Sequence, residues 1–106
     1  MNRNRTDQYI PAELKSAQDL PALWGRLAFL SPRDAELISH FEYPEGRTLL
    51  LSFELGRAAF ADVRAKIKKA ARDSDGYYNY VLVFLDPAQS ALLRAAIAQA
   101  SPGGPV

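Results

Sequence analysis

Between Tyr77 and Leu85 the chain is apolar on both of its alternating faces: Tyr78, Tyr80, Leu82 and Phe84 on one, Val81, Val83 and Leu85 on the other. A segment of this kind reads as a strand that needs cover on both sides and a neighbour at each edge. That demand dominates what 106 residues can fold into. Thr48 to Leu55 supplies a second strand of a different kind. Leu49, Leu51, Phe53 and Leu55 alternate with Thr48, Ser52 and Glu54, which marks one buried and one wet face, and only Leu50 breaks the pattern. Gly56 ends this strand, and Asp73-Ser74-Asp75-Gly76 forms a turn cluster before the tyrosine-led run.

The remaining segments read as helices. Pro11 opens a short polar helix over roughly 12–18. Leu20, Leu23, Trp24, Leu27 and Leu30 share one face at helical spacing, with Asp19 as N-cap and Pro21 in the first turn. Gly25 inside that helix costs about 1 kcal/mol against alanine, which points to a close contact there. Ser31-Pro32-Arg33-Asp34 has the signature of a helix start, running to Phe41 with Leu37, Ile38 and Phe41 inward. A competing reading makes Ile38–Tyr43 a strand that turns through Pro44-Glu45-Gly46. Arg57 to Arg72 places Phe60, Val63, Ile67 and Ala70/Ala71 on an inward helical stripe, and Asp86-Pro87 caps a last helix to Ala100.

The expected fold is therefore α+β, or a small α/β unit. N-terminal helices precede a β-α-β-α series, and a short sheet is covered by helices mainly on one face. A helix between the two strands favours a right-handed parallel crossover. Residues 1–10 form a flexible basic arm, 11–100 a single α+β domain, and 101–106 a disordered tail. Two strands make a poor sheet. The third comes from Gln8–Ile10, from Ile38–Tyr43, or from the same strand of a second chain, which would make the protein a homodimer.

The chain has no cysteine and one histidine, His40, so disulfides, thiolate nucleophiles and multi-histidine metal centres are excluded. No cofactor or metal is expected. Net charge is +1, so electrostatic specificity must come from local clustering. No leader-like segment opens the chain, and no apolar run approaches the ~20 residues that span a bilayer. The expectation is a cytoplasmic protein with no membrane partner. Abundant alanine and arginine point to a GC-rich bacterial source.

Three constellations bear on function. In a helix over 57–72, Arg57, Arg64, Lys68 and Arg72 align beside the apolar stripe, a row able to track phosphates. Tyr78 and Tyr80 present aromatic rings on a strand. The last helix carries a single charge, Arg94, and its Leu92, Leu93, Ala96 and Ile97 make an apolar face wider than one core contact requires. The leading expectation is a small non-enzymatic intracellular interaction protein, an adaptor, inhibitor or regulator. It would use Leu92, Leu93, Ala96, Ile97, Tyr78 and Tyr80 to meet another protein or its own copy. The alternative is a nucleic-acid-binding accessory protein using the basic row, with Arg3 and Arg5 of the arm. No catalytic set is expected, since Asp86 before Pro87 reads as a helix cap; an acid/base or metal-dependent enzyme would have to be built on it.

Overall fold

The computed structural model describes residues 9–16 and 22–100. They form β1 (Ile10–Lys15), β2 (Leu23–Leu30), β3 (Asp34–Ser39), β4 (Thr48–Leu55), β5 (Ala58–Arg72), β6 (Tyr78–Phe84) and α1 (Pro87–Ala100). Every pairing is antiparallel, and the strands close into a barrel in the order β1-β2-β3-β6-β5-β4. The α+β expectation, with N-terminal helices, a β-α-β-α order and a parallel crossover, is overturned. Residues 1–8 and 101–106, expected as arm and tail, lie outside the described residues, and Ile10 at the inner end of the arm belongs to β1.

The strands at Thr48–Leu55 and 78–84 and the C-terminal helix stand where the sequence put them. The segments read as helices at 12–18, Leu20–Leu30, Ser31–Phe41 and Arg57–Arg72 hold no helix among the described residues; they carry β1, β2, β3 and β5, joined by turns. In β5 the deciding pattern is the alternation of buried Val63, Ala65 and Ile67 with exposed Arg64, Lys66 and Lys68. Alanine and lysine favour helix intrinsically, but burial of the period-two set against two neighbouring strands outweighs propensities of a few tenths of a kcal/mol per residue. In β3 the same alternation buries Ala35, Leu37 and Ser39.

Ser31 does cap a turn, although no helix follows. Its Oγ accepts from the N–H of Arg33 and Asp34 at 3.1 and 3.0 Å and donates to the Asp34 carboxylate, fixing the β2–β3 connection. Chemistry that caps a helix serves equally well in a hairpin turn.

The barrel interior is filled by inward side chains of all six strands, with Leu14, Leu27, Leu37, Leu49, Leu51 and Leu82 fully buried. β6 lies between β3 and β5, so both of its edges are paired within the chain. The tyrosine-led strand thus has the two neighbours its sequence demands without a second copy. The argument for a homodimer from a missing strand falls with that.

Gly25 confirms a close contact, in a strand instead of a helix. A Cβ there would lie 2.9 Å from the Ile38 carbonyl oxygen and 3.0 Å from Leu37 Cδ1. Backbone cannot retreat as a side-chain tip can. Gly25→Ala is therefore expected to destabilise the barrel by about 1–3 kcal/mol, measured by urea unfolding. A variant as stable as the parent would mean that β2 and β3 are further apart than described.

Candidate functional site

β6 stops at Phe84, opposite Ala65, whereas β5 begins seven residues earlier at Ala58. The β4–β5 hairpin therefore extends past its neighbour. Its two-residue turn, Gly56-Arg57, uses a positive φ of 61° at Gly56, which glycine adopts without strain. A bulge at Asp62, with φ 55°, re-aims the projecting part, and the Asp62 N–H donates to Ser52 Oγ at 3.1 Å.

Where β6 leaves off, a side chain substitutes for strand. The Gln89 amide accepts from the Arg64 N–H at 3.0 Å and donates to the Asp62 carbonyl at 3.2 Å, reproducing the pairing a neighbouring backbone would make. Asp86 holds the start of α1, accepting from the Ala88 N–H at 2.9 Å. The helix then crosses the barrel end with Leu93 fully buried and Ile97 packed against the core. Leu92 points the other way and is 62% exposed. It lines a groove with Phe60, Ala59, Ala96 and Gln99, between α1 and the hairpin.

The other side of the hairpin faces Trp24. This side chain projects outward from β2 and is 61% exposed. In the cross-strand ladder Trp24 pairs with Glu13, and Glu13 pairs with Ser52. Trp24, Glu13 and Pro11 form one wall of a hollow of about 540 Å³, and Glu54, Phe53 and Phe60 of the hairpin form the other. Phe53 and Phe60 are stacked, with ring centroids 5.4 Å apart. Phe60 serves both grooves.

Of the expected protein-interface residues, Leu92 and Ala96 reach the α1 groove, whereas Leu93 is interior and Ile97 half-buried. Tyr80 is 1% exposed, with its hydroxyl donating to the Phe41 carbonyl and accepting from the Tyr43 N–H. Tyr78 stacks on Tyr80 at 6.3 Å and carries the Arg72 guanidinium over its ring. These tyrosines sit at the opposite end of the strands from α1.

The expected basic row is also rearranged, because a strand and not a helix carries it. Arg57 stands in the hairpin turn and Arg72 at the far end of β5. Arg64 and Lys68 remain on the outer face, where Lys66 and Lys69 join them. Sequence reasoning missed Trp24 and Gln89. Helical spacing placed Trp24 on an inward stripe; a period-two reading of Leu23 to Leu27 puts Trp24 and Arg26 outward together. No group of three or more acidic or histidine side chains is arranged to hold a metal among the described residues.

These features define a small closed antiparallel barrel with a C-terminal helix across one end and a projecting hairpin flanked by exposed apolar side chains. No family model and no curated protein matches the chain. Among solved structures it is similar to the Bacillus subtilis inhibitor of motility (MotI/DgrA), with a TM-score of 0.65 and 15% identity over 93% of this chain and 51% of that one. The chain thus spans about half the length of that protein, and the likeness is one of fold. No helix among the described residues is long and apolar enough to cross a membrane.

Proposed function

We propose that this chain is a non-enzymatic intracellular regulator that works by binding another protein, as an adaptor or inhibitor. One observation carries the reading: Trp24 and Leu92, two large apolar side chains exposed by 61% and 62%, flank the projecting hairpin. Exposed aromatic and aliphatic side chains beside polar rims are what interface anchors look like before a partner covers them. The similar structure is that of an inhibitor of motility, which favours a regulatory role over catalysis.

The test is reconstitution from purified components. A co-purifying protein, once identified and expressed, is expected to bind the parent chain stoichiometrically and to lose that binding in Trp24→Asp or Leu92→Asp. Both substitutions are on exposed side chains, so the fold is expected to survive. A complex indifferent to both variants would remove the reading. Self-association is its simplest form, supported by an outer face of α1 on which Ala88, Ala91, Leu92 and Ala95 are exposed and Arg94 is the only charge. Sedimentation showing a monomer at high micromolar concentration would rule that form out.

A second reading rests on β5. Arg64, Lys66 and Lys68 recur outward every second residue, roughly 7 Å apart, and make no ion pair among the described residues. Such a row suits a phosphate backbone. It predicts oligonucleotide binding that falls steeply with salt and disappears in Arg64→Glu/Lys68→Glu.

A further inference from the structure

The hollow beside Trp24 combines aromatic walls with two carboxylates. Glu13 and Glu54 stand on its two sides, and neither makes an ion pair among the described residues. Two cations of the adjoining strands are engaged elsewhere. Lys15 pairs with Asp62 at 3.4 Å. Arg26 lies over the rings of Tyr9 and Tyr77, at 5.0 and 5.5 Å from their centroids.

We propose that this hollow receives a cationic side chain, foremost an arginine, from an extended segment of a partner protein. The proposal rests on the protein-binding reading above and specifies the partner's chemistry. An indole face is the best aromatic surface for a cation, and a guanidinium stacks on it flat. With its plane against Trp24, the same group presents N–H donors at its edge, where Glu13 and Glu54 accept them. Pro11, Phe53 and Phe60 supply apolar surface for the aliphatic stem. A neutral or acidic occupant would leave two carboxylates facing apolar walls without a counter-charge, so charge complementarity selects a basic one.

The chain has one tryptophan, so its fluorescence reports this hollow directly. The probe is a blocked peptide of alternating glycine and arginine, titrated into the full chain. The expected result is a saturable change in Trp24 emission that weakens with added salt. In Glu13→Gln/Glu54→Gln the affinity is expected to drop about tenfold or more. Glu54→Gln alone, at an exposed position, is expected to show an intermediate loss if the double variant is unstable. No saturable change, equal binding of an aspartate-glycine peptide, or affinity unaltered by removing the carboxylates would overturn the proposal. If the peptide fails while a reconstituted complex still depends on Trp24 and Leu92, only the partner's chemistry is wrong. If both fail, the protein-binding reading falls as well.

Discussion

Leu93→Ala is expected to lower the unfolding free energy by about 2–5 kcal/mol. Leu93 is the residue of α1 that is fully buried, and it belongs to the same apolar cluster as Leu51, Phe84 and Val63. Truncation leaves a void at the barrel end that surrounding strands, held by their ladders, fill only in part. The helix is otherwise fixed by half-buried Ile97, the Asp86 cap and the two Gln89 hydrogen bonds. Loosening it is therefore expected to raise hydrogen exchange at the Arg64 amide as well as to lower overall stability. Leu92→Ala, one position earlier, is expected to change stability by no more than about 0.5 kcal/mol. Equal effects at the two positions in urea unfolding would mean that α1 does not sit on the barrel as described.

Tyr80→Phe is the second large effect, about 1–3 kcal/mol. The Tyr80 hydroxyl donates to the Phe41 carbonyl at 2.6 Å and accepts from the Tyr43 N–H at 2.8 Å, so one oxygen holds the β3–β4 connection against the barrel. Phenylalanine keeps the ring and leaves a buried donor without a partner. Tyr43→Phe has the opposite expectation, because the Tyr43 hydroxyl is itself buried with no hydrogen-bond partner among the described residues. Its removal should be neutral or stabilising. The pair also has a signature in alkali. Burial pushes both phenols above the ordinary tyrosine value, against the partial opposition of Arg47 at Tyr43 and of the Tyr43 N–H at Tyr80. Above about pH 10 the unfolded chain releases phenolic protons that the folded one retains, so stability falls as pH rises. Each Tyr→Phe variant is expected to shallow that decline. An unchanged alkaline limb in both would contradict the burial of these hydroxyls.

What the sequence discloses follows from whether a segment satisfies one periodicity or two. Thr48 to Leu55 and the tyrosine-led run fit only period two, and the demand of the latter for neighbours on both edges is met by β3 and β5. The last helix, with its Asp86 cap, fits only the helical period. Val63 and Ile67 fit both periods, four apart on a helix and, with Ala65, every second residue on a strand, while Ala70 fits the helical stripe and joins the strand's face only past the bulge between Ile67 and Lys69. Lysine and alanine then tip a local reading toward helix, and the long-range pairing that reverses it is invisible locally. Trp24 shows the cost of that ambiguity for the site. On a helix it joins the leucines inside; on β2 it stands out in solvent beside Glu13. Leu92 needed no such correction, since its helix was read in the right state.

The order of strands around the barrel sets when the molecule can acquire its shape. β6 completes the barrel, lying between partners that both precede it in the chain. Until Phe84 has been synthesised, β3 and β5 are the raw margins of an open ribbon, each offering unpaired backbone to any passing strand. Closure therefore waits for β6, and variants that pair it slowly are expected to be lost to aggregation before they are lost to unfolding.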